Sequence, residues 1–239
     1  MQKVIQIYSN TKMILGIHQP QYLPWLPFFL KIQSCDYFVF LDNVDYQKNG
    51  LQNRNQIKTN NGKLWLSVPV IANLGQKIND IKISNLTNWK KKHLLTIKQF
   101  YSKARSYNKY IEELESIYSN EWVSLCNLNI SIIKLFMNWL EIKTPVIQSS
   151  ELGLTGKSND LIIKICKKLN ATEYLSGTGA KNYIDNNLFK KNKIILNFHK
   201  GYKIKKYKQL FEEHGFIEDL SAIDIILNCG ERWKDFIIK

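Results

Sequence analysis

The sequence predicts an α/β fold in which a mostly parallel sheet carries a helical insert and a small β-hairpin. Short apolar runs alternate with helical patterns along the chain, which is the order of elements in a parallel sheet. A block with helical periodicity interrupts this order at about residues 86–141. Two strand-like runs, 54–59 and 64–70, flank the turn sequence NNG and predict the hairpin.

The N-terminal elements have the order of a βαβ unit. MILGIH at 13–18 predicts a buried strand, and PWLPFFLKIQS at 24–34 predicts a short helix that begins at a proline. DYFVFLDNV at 36–44 predicts the second strand. Because the intervening segment is a crossover helix, the two strands are expected to run parallel.

The helical insert is predicted from two periodic segments, 88–118 and 121–140. The second carries an apolar and aromatic stripe at helical spacing, which is typical of a core face rather than of a cofactor platform. After it the α/β order resumes with strands predicted at 144–149, 172–176 and 193–199. Ser158 or Asn159 is expected to cap the helix between the first two of these, and a last helix is expected to end at Gly230. The expected architecture is a Rossmann-like open sheet.

The length of 239 residues and the 44% content of hydrophobic residues suit one α/β domain over residues 13–239, preceded by an extension, 1–12. No apolar run reaches the roughly 20 residues of a membrane span, so none is expected. The N-terminal segment lacks the apolar region and cleavage site of a signal peptide, which predicts a cytoplasmic protein.

Basic residues outnumber acidic ones by 34 to 20, a formal net charge of +14. Such a charge could attract nucleic acid, phosphorylated metabolites or an anionic membrane face. It also agrees with a composition rich in Lys, Asn and Ile and poor in Arg, and the lysines are spread over the whole chain. The charge by itself therefore assigns no partner.

The cysteines are expected to be buried free thiols, and no metal site is expected. The four of them, Cys35, Cys126, Cys166 and Cys229, form no CxxC pair, and neither HExxH nor clustered carboxylates occur.

Three loops follow predicted strands, where open parallel sheets bind their ligands. The first has His18 directly at the strand exit and before a helix N-terminus, a position suited to anions and to proton transfer. Its further candidate binding residues are Gln19, Gln21, Tyr22 and Trp25. The alternative is a tight loop in which His18 only binds a backbone carbonyl.

The second loop, 42–54, is rich in amide side chains, which recognise hydroxyls and base edges. Asp42 is a candidate catalytic residue, and Asn49 and Asn53 are candidates for sugar hydroxyls. Arg54 suits a phosphate through its two-pronged geometry. A plain polar loop is the alternative for this composition.

The third loop is rich in glycine and follows the strand at 172–176, so its backbone N–H groups could approach a phosphate. Its sequence is not a P-loop. The candidate binding residues are Gly177, Thr178, Gly179, Lys181 and Asn182, with His199 after the next strand.

The segments HQPQYLPW and NGLQNRNQIKTNNGKLWLSVPV resemble the WbqC-like family, as do SGTGAKNYID and LSAIDIILNCG. The resemblance extends over nearly the whole chain from Met13. Members of this bacterial family lie in gene clusters for O-antigen (lipopolysaccharide) and other polysaccharides, so the resemblance implies work on nucleotide-linked sugars.

We therefore expect an enzyme that adds an acyl or aminoacyl group to the amine of a dTDP- or UDP-linked amino sugar. If ATP is consumed, an acyl-adenylate step with Mg²⁺ is the natural route. The rival functions are a non-catalytic binding module, for sugar nucleotides or for RNA, and a structural partner in a glycan assembly complex. Nucleic acid is the less favoured ligand because Arg is scarce, and a homo-oligomer is compatible with the sequence but not specified by it.

Overall fold

The computed structural model describes residues 12–181, 184–199 and 201–238. Within these residues the elements are β1 (Ile14–His18), α1 (Leu26–Gln33), β2 (Tyr37–Phe40), β3 (Arg54–Thr59), β4 (Gly62–Ser67), β5 (Val70–Ile71), β6 (Lys82–Ile83), α2 (Trp89–Tyr101), α3 (Tyr107–Ser119), α4 (Leu125–Trp139), β7 (Val146–Gln148), α5 (Ser158–Lys168), β8 (Glu173–Ser176), α6 (Asn186–Lys191), β9 (Ile195–Phe198), β10 (Lys203–Ile204), α7 (Ile223–Cys229) and β11 (Ile237–Ile238). None of these helices combines the length and the apolar character that crossing a bilayer requires.

The predicted α/β fold with a parallel sheet is confirmed. Five strands form this sheet in the order β7-β2-β1-β8-β9, and every neighbouring pair is parallel. The central strand β1 is buried over Leu15–Ile17, as its uninterrupted apolar sequence predicts. The predicted hairpin is confirmed as the antiparallel pair β3 and β4, which turns through Gly62 at a φ of 84°.

The chain forms two compact units. Unit 1 contains residues 12–18, Lys31–Leu41 and 144–199, and therefore the whole parallel sheet. Unit 2 contains Gln19–Leu30, Asp42–Lys143 and 201–238, and therefore the hairpin and the three helices of the predicted insert. The expectation of a single domain over 13–239 stays a prediction.

Several boundaries differ from the predicted ones. Strand β2 ends at Phe40 rather than Val44, because the polar residues that follow leave the sheet. The predicted cap of α5 is wrong: the N-cap residue is Lys157, without a side-chain cap bond, and Ser158 is the first helical residue. The last α-helix, α7, ends with Gly230 as its C-cap, as predicted, and φ is 57° there.

The core of unit 2 contains a buried carboxylate with three donors. Asp224 accepts hydrogen bonds from the hydroxyls of Tyr101 (2.8 Å) and Tyr207 (2.6 Å) and from Nε2 of Gln209 (2.9 Å). Burial raises the pKa of Asp224, and these three hydrogen bonds oppose the rise. The network joins α2, α7 and the segment after β10, so it stabilises the packing of the helical part of unit 2.

The cysteines are free, as predicted, and three of them are buried, whereas Cys229 is half-buried. Burial raises the pKa of each thiol to about 12, so all four are protonated and unreactive at neutral pH.

We expect Gly16→Ala to destabilise unit 1. A Cβ at residue 16 would lie 2.5 Å from Sγ of Cys35 and 2.7 Å from Cδ2 of Phe38, and both neighbours are buried. Overpacking of this kind costs about 1–3 kcal/mol of unfolding free energy. Denaturant unfolding measures the loss. Gly201→Ala is the matched control, because no atom lies within 4 Å of its Cβ position, and an equal loss in both variants would contradict the prediction.

Candidate functional site

The site in unit 1 lies at the carboxyl edge of the parallel sheet. Strand β1 is the centre of the sheet. The next strands in the chain, β2 and β7, lie on one side of β1, and the last two, β8 and β9, lie on the other side. The direction of addition therefore reverses between β1 and β8. Open α/β sheets bind ligands in the crevice outside the carboxyl ends of the strands at this reversal.

The strand register brings His18, Gly177 and His199 into one row. Gly16 pairs with Leu175 and Ser176 pairs with Phe198, so each strand continues into one of these three residues. The backbone N–H of His199 donates to the carbonyl oxygen of Ser176 at 2.8 Å, which extends the pairing beyond β9. Because neighbouring strands lie about 4.8 Å apart, the two histidines are about 10 Å apart along the edge.

The loop after β8 is open to solvent at its glycines. Thr178 and Gly179 are exposed in a short 3-10 turn, and the φ of Gly177 is −74°, a value that any residue adopts. No atom lies within 4 Å of the position of a Cβ at Gly177 or Gly179. Neither backbone conformation nor packing requires glycine here, and the absence of side chains leaves the backbone accessible to a ligand.

Lys181 lies on the same edge. Its exposed side chain extends towards the end of β9, where Nζ lies 5.6 Å from the centre of the Phe198 ring. His18 and Lys181 thus lie at the same edge of the sheet. Asn182, the last candidate of this loop, lies outside the described residues.

Lys31 is a candidate functional residue that the sequence analysis did not identify. It belongs to α1, is buried, and donates from Nζ to the carbonyl oxygen of Ile17 at 2.7 Å, directly before His18. Within the described residues no carboxylate pairs with it. Burial lowers the pKa of Lys31 to about 8. The signal in the sequence is a lysine within the otherwise apolar helix LPFFLKIQ.

The charge of Lys31 also affects the pKa of His199. Burial lowers the pKa of His199, and the ammonium of Lys31 lowers it further. The imidazole is therefore neutral at pH 7, while Lys31 is mostly protonated below its own pKa. The edge thus combines a buried cation with a neutral histidine, and His18 at the same edge is half-buried.

The other predicted site residues belong to unit 2. They are Gln19, Gln21, Tyr22, Trp25, Asp42, Asn49, Asn53 and Arg54. That the three loops identified in the sequence contribute to one ligand site consequently stays a prediction.

Of these residues, Gln19 belongs to an amide cluster within unit 2. Nε2 of Gln52 donates to Oε1 of Gln19 at 2.8 Å, and Nδ2 of Asn129 donates to the carbonyl oxygen of Gln52 at 2.7 Å. Oε1 of Gln21 and Oδ1 of Asn129 are buried without a hydrogen-bond partner. Such acceptors are costly to leave unsatisfied, so they could receive hydrogen bonds from water or from a hydroxylated ligand.

Tyr22 supports the core of unit 2. Its ring is fully buried, and its hydroxyl hydrogen-bonds to Nδ1 of His93 at 2.8 Å and to the hydroxyl of Tyr118 at 2.5 Å. Trp25 is half-buried and bridges to Ser221 through the backbone. The sequence did not reveal the role of Tyr22, because its partners lie 71 and 96 residues away.

Arg54 and Asn53 hold the loop 42–54 to the hairpin. The Arg54 guanidinium donates to the carbonyl oxygen of Asn49 at 2.5 Å and lies 4.6 Å from the centre of the Trp65 ring. Nδ2 of Asn53 donates to the carbonyl oxygen of Val68 at 2.9 Å. These contacts favour the alternative given for the loop 42–54, which is a plain polar loop without a binding role.

Asp42 is fully buried at the start of that loop, and its charge contributes to the raised pKa of Cys126. In the described part of the chain, no three His, Cys, Asp or Glu side chains are grouped as a metal ion would need.

Comparisons with known proteins place the chain in a family. The model of the WbqC-like protein family matches residues 19–235. The uncharacterized protein Rv1507c of Mycobacterium tuberculosis is 30% identical over 226 residues, which cover 93% of this chain and 96% of that protein. No solved structure matches the chain significantly.

Proposed function

The chain belongs to the WbqC-like protein family, and we propose that it is an enzyme acting on a nucleotide-linked amino sugar. The reaction is transfer of an acyl or aminoacyl group to the sugar amine during synthesis of a surface polysaccharide in the cytoplasm. The observation that supports the proposal is the row of His18, Gly177 and His199 at the reversal point of a parallel sheet, beside the buried Lys31.

The glycine loop and Lys181 bind the nucleotide phosphates in this proposal. Backbone N–H groups in a turn are anion donors, and the open positions over Gly177 and Gly179 leave room for phosphate oxygens. The exposed ammonium of Lys181 adds a positive charge at the same edge. The substrate class is a dTDP- or UDP-linked amino sugar.

His18 and Lys31 carry the chemistry. The sugar amine attacks the acyl carbonyl carbon, a C–N bond forms, and the bond from that carbon to the leaving group breaks. His18 is half-buried and accepts the proton that the amine loses. The ammonium of Lys31 stabilises the negative charge on the carbonyl oxygen, since a fixed cation in a buried site is a strong electrostatic stabiliser.

Mass spectrometry tests the reaction class. The pure protein is incubated with dTDP- and UDP-amino sugars and acyl donors, with and without ATP and Mg²⁺. The expected product is heavier than the sugar nucleotide by one acyl or aminoacyl group. Nucleotide binding without a product would favour the non-catalytic binding module, and absence of both would refute the proposal.

Lys181→Ala is expected to weaken nucleotide binding about tenfold, the loss of one charge-assisted hydrogen bond. Its effect on the unfolding free energy should stay below about 0.5 kcal/mol because the side chain is exposed. Calorimetric titration and thermal unfolding measure the two quantities. Lys190→Ala, an exposed lysine of α6, is the charge-matched control. A lower melting temperature with unchanged affinity would assign Lys181 a structural role.

A further inference from the structure

A basic cavity in unit 2 takes no part in the proposed reaction. Its volume is about 350 Å³, near the lower end of the range for small-molecule sites. Four cationic side chains line it, from the α2–α3 turn, from the segment after β10 and from the turn after α7: Lys103, Arg105, Lys208 and Arg232. No acidic residue is among its lining residues.

The cations of this basic cavity are only partly neutralised. Lys208 pairs with Glu212 at 3.1 Å, and Nε of Arg232 pairs with Asp235 at 3.0 Å. Lys103 and Arg105 have neither an ion pair nor a side-chain hydrogen bond within the described residues. Two of the four lining cations are therefore ion-paired, and two are not.

The remaining walls are suited to a ring-bearing ligand. Phe236 and Leu210 provide apolar surface, and Asn228 provides an amide. The ring of Phe236 is held by an edge contact with Tyr207, with ring centres 5.7 Å apart. Gln209, also in the wall, is fixed by its bonds to Asp224 and Ile217, so this part of the cavity is rigid.

Two guanidinium groups, those of Arg105 and Arg232, line this one cavity. Burial raises the pKa of Cys229 in its wall, as do the charges of Asp224 and Asp235, and the charges of Arg232 and Arg105 oppose the rise. A guanidinium binds a phosphate through paired N–H donors, so two of them in one cavity suit a phosphate or diphosphate.

We propose that the basic cavity binds a small phosphorylated metabolite, whose phosphate group contacts Arg105, Arg232 and Lys103 and whose ring packs on Phe236. A concave site of this volume holds a mononucleotide or a phosphorylated sugar rather than a polymer. This inference is independent of the reaction proposed for unit 1, since every residue lining the cavity belongs to unit 2.

Calorimetric titration with pyrophosphate and with UDP tests the cavity. All variants carry Lys181→Ala, which is expected to weaken binding at the glycine loop about tenfold, so that affinities are compared against one common background. The added changes Lys103→Ala and Arg105→Ala should lower the affinity for both probes at least fivefold. Both side chains are exposed, and circular dichroism is expected to show an unchanged fold.

Lys63→Ala with Lys91→Ala is the control, because these exposed lysines of unit 2 remove the same two charges at other positions. A loss smaller than fivefold in the cavity variant, or an equal loss in the control, would overturn the proposal in favour of non-specific attraction to the +14 chain. A Phe236→Ala variant is expected to weaken UDP more than pyrophosphate. Equal weakening would refute the ring contact.

Discussion

Replacing Lys31 with methionine is expected to make the protein more stable at pH 7 and to reduce the proposed transferase activity about 10²–10³-fold. The side chain is buried, and one carbonyl oxygen, that of Ile17, accepts its hydrogen bond. Methionine has a similar length and removes the cost of burying a charge. The loss of activity is the usual effect of removing one electrostatic donor to a developing oxyanion.

The size of the stability gain follows from the pKa of Lys31. The value of about 8 lies 2.5 below the ordinary 10.5, which corresponds to roughly 3 kcal/mol at 1.36 kcal/mol per pKa unit. Below pH 8 the lysine is protonated in both states, so the folded protein bears this cost in full. Loss of the hydrogen bond to Ile17 offsets about 1–2 kcal/mol of the gain, because the carbonyl is left unpaired.

Denaturant unfolding at several pH values measures this gain. Between pH 8 and 10.5 the unfolded chain holds a proton that folded Lys31 has released, so the unfolding free energy of the unmodified protein rises with pH. The advantage of the methionine variant should therefore shrink over that interval. Lys190→Met, at an exposed lysine, is the control. A methionine variant that is less stable at pH 7, by an amount that does not change up to pH 10.5, would show that the buried charge stabilises the fold.

Acidification from pH 6.5 to 4 is expected to remove about 3 kcal/mol of stability through His93 alone. Burial and, to a smaller extent, the charge of Lys92 lower the pKa of this histidine to about 4, against a hydrogen bond with the backbone of Ser67 that raises it. Nδ1 hydrogen-bonds to Tyr22 in the core. Because the folded pKa is depressed below the unfolded value of 6.5, the unfolded chain takes up a proton between these pH values that the folded chain excludes.

Unfolding free energies at pH 7 and pH 4.5 test the role of His93, in the unmodified protein and in His93→Gln. The glutamine variant is expected to be less stable at pH 7, since it disturbs the contact with Tyr22, but to lose less stability on acidification. His214→Gln, which changes an exposed histidine, is the control and should keep the full pH dependence. An equal loss in all three proteins would attribute the acid sensitivity to other groups.

The local residue pattern was sufficient to predict the main helices and strands of the chain. The apolar run MILGIH, the helix that starts after Pro24 and the NNG turn each contain their own signal within a few residues, and all three are confirmed. The short helix α6 was missed, because its six residues hold one buried side chain, Phe189, and therefore no apolar period.

By itself the sequence determined the α/β class, the parallel direction of the main strands, the hairpin, and the placement of His18 and the glycine loop at strand exits. These features depend on hydrophobic periodicity and on glycine, proline and asparagine, which act over a few residues. The tertiary structure alone decided the strand order that puts β1 beside β8, the burial of Lys31, and the use of Tyr22 in the core of unit 2. These features depend on pairing between segments up to about 160 residues apart. A local sequence pattern does not indicate which distant strand or side chain will be the partner.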